Sequence, residues 1–133
     1  MRDDTFLLRH VKLMRFFQGD YVTSEAFIPH KKKDNGKLSV YDGEFVTPDK
    51  AVEHQRKFGG TTYAVVGILP DECKNVLGCD LPVSYDPQPD SDCHMEIDFN
   101  VLGSRSKQEK AGGILRNRTK DRGFLWREEE SQI

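Results

Sequence analysis

The sequence predicts a single α+β domain over residues 1–133, with a mostly antiparallel sheet of five or six short strands and two main helices packed on one face. The chain has 133 residues, 36% hydrophobic and 32% charged, which is typical of one globular domain. Short segments rich in β-branched and aromatic residues alternate with Gly, Pro and Asn-Gly turn signals. Only two segments, 48–58 and 107–121, combine helix caps with helical spacing.

The first half of the chain predicts three strands and the first helix. The apolar segment 6–11 fits a helix or a buried strand, and the Gly19-Asp20 turn signal that follows favours the strand. The segments 21–27 and 37–41 are the next two strands. Helix 48–58 follows, because Thr47 is a suitable N-cap and proline at position 48 suits the first helical turn.

The second half predicts the centre of the sheet and the second helix. Segment 61–69 is apolar on both sides, as expected for a central strand covered by helices. Segment 81–85 is an edge strand, since Pro82 lacks a donor for strand pairing. Helix 107–121 begins with a capping box formed by Ser106 and Glu109. A strand over 124–126 is then followed by a tail, 128–133, that we expect to be frayed.

The segment 92–99 carries the candidate chemistry. Read as a strand, it places His94, Glu96 and Asp98 on one face and an apolar set on the other. Two carboxylates on one strand face repel each other, which raises one pKa and can prepare a proton donor. The alternative interpretation is an exposed polar face of an antiparallel sheet, which strand alternation alone produces.

Three segments fall in the order seen in ADP-ribosyltransferases of the arginine–serine–glutamate type. Those enzymes have an Arg on an early strand, a Ser-Thr-Ser strand start and a later Glu-x-Glu pair. Arg9, the Thr23-Ser24-Glu25 segment and the Glu96-x-Asp98 pair resemble this pattern. Thr-Ser-Glu replaces Ser-Thr-Ser, and an aspartate replaces the second glutamate. The resemblance implies catalytic roles for Arg9, Ser24 and Glu96, with His94 beside them.

The three cysteines predict no disulfide framework; they are interpreted as ordinary thiols, with a metal site formed by these thiols and His94 as the alternative. Cys73, Cys79 and Cys93 are odd in number, and their spacing matches no zinc motif. The sequence also lacks the motifs of P-loop proteins, dinucleotide-binding folds, serine hydrolases and zinc proteases. We therefore expect no bound metal and no cofactor.

Charge is unevenly distributed along the chain. Segment 71–98 has eight acidic residues against one lysine, and segment 103–127 has eight basic residues against two acids. A basic helix can bind nucleic acid through phosphate contacts, for which Arg116 and Lys120 are the candidate residues. Lys31 and Lys32, in a predicted loop, are the other two candidates. The two segments can equally face each other. Since the net charge is −2, nucleic-acid binding is an alternative rather than the main prediction.

The main functional prediction is a small interaction module, an accessory subunit that binds another protein. It depends on the absence of a reaction-specific motif and on the segregation of charge. No run of about 18 apolar residues is present, so no membrane association is expected. The acidic start, Met1 to Asp4, does not fit a signal peptide, and we expect a cytoplasmic protein.

Overall fold

A computed structural model describes residues 4–19, 21–31, 35–57, 59–88, 91 and 93–128. Within these residues two α-helices are present, α1 (Pro48–Lys57) and α2 (Arg105–Thr119). The strands are β1 (Leu7–Val11), β2 (Phe17–Gln18), β3 (Tyr21–Val22), β4 (Lys37–Asp42), β5 (Ala64–Ile68), β6 (Val83–Tyr85), β7 (His94–Asp98) and β8 (Trp126–Arg127).

The main sheet has six antiparallel strands in the order β6-β7-β4-β1-β5-β8. Strands β2 and β3 form a separate two-stranded hairpin, in which Gly19 adopts a φ of +64°. The predicted α+β class with a mostly antiparallel sheet is confirmed. Strand β6, which follows Pro82, lies at the sheet edge as expected. Strand β5 is an inner strand, but it is second from the edge, and the centre predicted for it is occupied by β4 and β1.

Each face of the sheet carries one of the two helices. Leu7 packs in a large core cluster that includes Ala111 and Leu115 of α2. Leu8, one residue later and therefore on the other face, packs in a small cluster with Ala51 and Val52 of α1. The prediction that both helices cover one face is wrong in this respect. The fully buried strand β5 requires cover on each side.

Two local predictions also differ from the structure. Segment 21–27 is a strand only over β3, and it continues as a 3-10 helix at Ser24–Phe27 that packs against α2. Helix α2 begins earlier than predicted, because Ser104 is the N-cap and its hydroxyl accepts a hydrogen bond from the Lys107 amide at 3.2 Å. Capping at 104 rather than 106 places Arg105 in the first turn, where its guanidinium donates to the Pro29 carbonyl at 2.7 Å.

The interior of α2 contains two glycines with different surroundings. A Cβ at Gly112 would lie 2.2 Å from Ile28 Cγ1 and 3.2 Å from the carbonyl oxygen of Ser24. A Cβ at Gly113 would meet nothing within 4 Å. Gly112 therefore permits the close approach of α2 to the 3-10 helix, whereas Gly113 has no such role.

These two glycines give a matched pair of substitutions. We expect Gly112→Ala to destabilise the fold by about 1–3 kcal/mol, because overpacking outweighs the gain in helix propensity. Gly113→Ala should stabilise it by roughly 0.5–1 kcal/mol, since only the propensity term acts there. Urea unfolding monitored by circular dichroism measures both values. Equal effects at the two positions would show that Gly112 is not a packing contact.

The end of α2 is tied to the sheet by a largely buried ion pair. The Arg122 guanidinium donates to both carboxylate oxygens of Glu72 at 2.9 Å and to the Gly67 carbonyl at 2.6 Å. Glu72 also accepts from the Leu69 amide at 2.7 Å, and Arg122 lies over the Phe6 ring at 5.0 Å. The network joins α2, β5 and the turn that follows β5.

Candidate functional site

The main sheet opens between β1 and β4. These strands pair through only two residue pairs, Leu7 with Asp42 and Leu8 with Tyr41, whereas β1–β5 and β4–β7 each pair through five. A cleft of about 440 Å³ lies where the two strands separate. It is on the face that carries α1, and α1 covers the β1–β5 half of that face. The residues lining the cleft include Arg9, His10 and Lys12 from β1 and just after it, Lys37, Ser39 and Tyr41 from β4, His94 and Glu96 from β7, and Asp86 and Gln88.

Strand β7 supplies two of these residues through simple alternation. Met95 and Ile97 are buried in the main core, and His94 and Glu96 point to the opposite face, as the sequence predicts. In the register of the sheet, Glu96 lies opposite Ser39 of β4. Asp98 does not line the cleft. Its carboxylate caps the next turn by accepting from the Asn100 amide at 2.8 Å.

A histidine and two carboxylates converge in the cleft. Asp86, His94 and Glu96 each place one potential ligand atom within 4.8 Å of the other two, and we call them the Asp86 cluster. His94 Nδ1 lies 2.8 Å from the Asp86 carbonyl oxygen and 3.4 Å from its carboxylate. Gln88 Nε2 donates to the same carboxylate at 2.6 Å. The β6–β7 hairpin creates this contact, since the Asp86 amide donates to the His94 carbonyl at 2.9 Å.

The surroundings of Glu96 raise the pKa of its carboxyl above the ordinary value. Partial burial raises the pKa of Glu96, and a hydrogen bond and the charge of the Asp86 carboxylate raise it further. Lys37, whose Nζ lies 3.6 Å from Glu96 Oε2, and His94 act in the opposite direction. The acidic neighbour of Glu96 is therefore Asp86 from the preceding hairpin strand, rather than Asp98 two residues later.

Aromatic and imidazole rings form the wall of the cleft. The Tyr41 ring packs edge-on against the His10 ring on one side and the His94 ring on the other, with ring centroids 5.2 Å and 5.7 Å apart. His10 is 3% exposed, and its Nδ1 lies 3.1 Å from the Thr62 hydroxyl. Its Nε2 has no hydrogen-bond partner among the described residues. Burial lowers the pKa of His10 to about 3, with Lys12, Arg9 and His54 adding to the effect. The imidazole is therefore neutral at pH 7.

This buried imidazole predicts acid sensitivity. Because the pKa of His10 falls from 6.5 to about 3 on folding, the unfolded chain binds the extra proton between these values. The contribution of neutral, buried His10 to the free energy of unfolding is present above pH 6.5 and is lost as the pH falls towards 3. From pH 7 to pH 5 we expect a loss of about 2 kcal/mol in unfolding free energy.

The measurement compares urea unfolding of the wild type and His10→Gln at pH 7 and pH 5. Gln is polar but does not titrate in this range, so its variant should lack this part of the acid loss. Parallel losses in the two proteins would contradict the assignment.

Arg9 spans the gap between the separated strands. Its Nε donates to the Ala26 carbonyl at 2.9 Å, and its Nη1 donates to the Ser39 carbonyl at 3.0 Å. Arg9, His94 and Glu96 all line one cleft. Ser24 does not, because its 3-10 helix packs against α2 on the opposite face of the sheet. The serine that lies beside Arg9 and opposite Glu96 is Ser39.

The cysteines do not join the cleft. Cys73 is buried in the main core, where burial raises its pKa to about 12, and Cys79 packs against the same core. That core lies on the other face from His94, so neither thiol is positioned to form a pair with its imidazole. Cys93 precedes His94 in the chain and does not line the cleft.

The basic residues proposed for nucleic-acid binding are dispersed. Arg116 Nε donates to the Val22 carbonyl at 3.1 Å, and its guanidinium lies 5.9 Å from the Tyr21 ring. Lys120 and Lys31 are exposed, and Lys32 lies outside the described residues. The Arg118 guanidinium donates at 2.7–3.0 Å to three backbone carbonyls, those of Glu72, Lys74 and Asn75. Arg118 therefore contacts the acidic segment 71–98 through backbone carbonyls and not through carboxylates.

Of the eleven residues that line the cleft, sequence reasoning named only Arg9, His94 and Glu96. Ser39, Tyr41 and Lys37 alternate along β4 and could have been assigned to one face from the strand period alone. His10 and Asp86 required knowledge of strand pairing. Asp86 lies eight residues before His94, and only the β6–β7 register brings the two together.

Comparison with known proteins found no relative of this chain. No family model matches the chain, and no curated protein or solved structure is significantly similar to it. Among the described residues, no helix is both long and apolar enough to cross a membrane. Any function must therefore be argued from the cleft itself.

Proposed function

We propose that the cleft is the active site of a small group-transfer enzyme with the chemistry of ADP-ribosyltransferases. The supporting observation is that an arginine, a serine and a glutamate from three neighbouring strands, Arg9, Ser39 and Glu96, surround one cleft. They follow the chain order that the resemblance implies, with Ser39 taking the position assigned to Ser24 from sequence. The second carboxylate near Glu96 is Asp86 instead of Asp98.

The implied reaction transfers ADP-ribose from nicotinamide adenine dinucleotide. The bond between the ribose anomeric carbon and the nicotinamide nitrogen breaks, and the electron pair leaves with nicotinamide. The acceptor nucleophile bonds to the same carbon and loses its proton to solvent. The ribose passes through an oxocarbenium-like state, which a nearby carboxylate stabilises electrostatically. Glu96 is the residue to which we assign that role.

The rest of the cleft suits such a substrate. Lys12 and Lys37 are among its lining residues, and their cationic groups favour a diphosphate. Tyr41 offers an aromatic surface to a flat ring, and His10 and Ser39 offer hydrogen-bonding groups. The volume of about 440 Å³ is within the range of small-molecule sites.

The proposal is tested by incubating the protein with dinucleotide labelled in the ADP-ribose part and a panel of protein and nucleic-acid acceptors. Released nicotinamide is measured by chromatography, and transferred label is measured on each acceptor. We expect nicotinamide release that increases with the correct acceptor. No release above the rate of buffer with any acceptor, including water, would reject the transferase assignment.

A second candidate is the accessory subunit that binds another protein in the cytoplasm. It is favoured by exposed apolar side chains near the small hairpin, where Leu13, Met14 and Tyr21 are 43%, 63% and 50% exposed. Mass measurement of complexes cross-linked in native lysate tests it, with Met14→Lys as the variant that should lose a partner. A protein recovered alone at every salt concentration would contradict it.

A further inference from the structure

The Asp86 cluster offers a donor set that the transfer reaction does not require. It combines one imidazole with two carboxylates, which are the ligand types of zinc and other divalent transition metals. We propose that Asp86, His94 and Glu96 form a binding site for a divalent cation of the zinc class. The sequence predicted no metal, because the only ligand set considered there was the cysteines with His94, and their spacing matches no zinc motif.

The distances require only small adjustments. Zinc bonds to nitrogen and oxygen are about 2.0–2.2 Å long, so ligand atoms in a tetrahedral site lie roughly 3.4 Å apart. The ligand atoms of the cluster lie within 4.8 Å of one another. Asp86 and Glu96 have partly exposed side chains, which leaves their carboxylates room to rotate towards His94.

The neighbours of the cluster hold its groups in place. His94 is the buried member, with 10% of its side chain exposed, and its ring packs edge-on against Tyr41. Gln88 Nε2 donates to the Asp86 carboxylate and orients it. Residues that orient metal ligands in this way are a regular feature of protein metal sites. Three protein ligands would leave further coordination positions for water on the cleft side.

The charges of the Asp86 cluster are also suitable for a divalent cation. Two carboxylates lie together in the cluster, and Lys37 contacts one of them, that of Glu96, at 3.6 Å. The Lys37 side chain is 45% exposed and can move into solvent when a divalent cation occupies the cluster. A cation of charge +2 would then balance both carboxylates at short range.

This inference does not depend on the proposed transfer reaction. A Glu96 carboxylate bonded to a metal could not also stabilise the ribose, so the two roles compete. Metal binding is accordingly measured without dinucleotide.

The test is calorimetric titration of untagged protein with Zn²⁺, with Co²⁺ as a spectroscopic probe of coordination. Asp86→Asn removes one ligand. Asp121→Asn is the matched control, because Asp121 is an exposed aspartate at the end of α2 on the opposite face. We expect one equivalent of Zn²⁺ in the wild type and in Asp121→Asn, and at least about tenfold weaker binding in Asp86→Asn and Glu96→Gln.

Co²⁺ should give visible absorption bands in the wild type that Asp86→Asn abolishes. Absence of one-equivalent binding to the wild type would overturn the proposal. So would equal affinity in the wild type, Asp86→Asn and Glu96→Gln. A wild-type protein that binds no Zn²⁺ could still release nicotinamide, and one that releases none could still bind Zn²⁺, so the two proposals can fail independently.

Discussion

Glu96→Gln should reduce nicotinamide release by roughly 10²–10⁴-fold, the range expected when a catalytic carboxylate is lost. The substitution keeps the size and polarity of the side chain and removes only the charge that stabilises the oxocarbenium-like ribose. Glu96 is partly exposed and contacts Lys37 at 3.6 Å across a partly exposed pair. Such a pair contributes about 0–1 kcal/mol to stability. The melting temperature should therefore change by no more than about 3 °C.

The matched control for this experiment is Glu53→Gln. Glu53 is an exposed residue of α1 and does not line the cleft, so the same chemical change there should leave the rate unaltered. A parallel loss of activity and melting temperature in Glu96→Gln would indicate a structural role. Full activity in Glu96→Gln would contradict the assignment of the catalytic carboxylate.

The largest expected loss of stability comes from the pair that joins Arg122 to Glu72. Their side chains are 21% and 13% exposed, and two contacts of 2.9 Å connect them. Arg122→Ala would leave a largely buried carboxylate without its counter-ion. We expect destabilisation of about 3 kcal/mol, at the low end for a broken buried pair because some solvent reaches it. That loss corresponds to a melting temperature lower by about 10 °C.

An exposed pair provides the comparison. Arg15 and Glu25 lie 3.7 Å apart with side chains 72% and 60% exposed, so we expect Arg15→Ala to change stability by no more than about 0.5 kcal/mol. Chemical unfolding of both variants, and of the double variant Arg122→Ala with Glu72→Gln, measures the coupling. Equal effects of Arg122→Ala and Arg15→Ala would show that burial does not strengthen the Arg122 pair.

The sequence predicted the elements of this fold better than their arrangement. The alternation in 94–98 assigned both faces of β7 correctly, because one face must be buried and the strand period is fixed. The helix caps located α1 within one residue and α2 within two. Two serines two residues apart, Ser104 and Ser106, can each cap a helix, so local chemistry could not decide the start of α2.

The positions of the helices depend on contacts between distant segments. A strand buried on both faces, β5, implied cover on each side, but the pattern did not say which helix covers which face. The opening between β1 and β4 is likewise invisible in local propensity, since it results from the register of three strands. Asp86 and His10 joined the site only through that register, and Ser24 was excluded by it.

The most direct test of the central claim, that the cleft binds a dinucleotide, is a nuclear magnetic resonance titration of labelled protein with nicotinamide adenine dinucleotide. We expect the amide signals of His10, Ser39 and Glu96 to shift in a saturable manner. Signals of Ala111 and Leu115, which are buried residues of α2 on the opposite face, should stay in place. Saturable shifts confined to α2, or no shifts at millimolar dinucleotide, would contradict the claim.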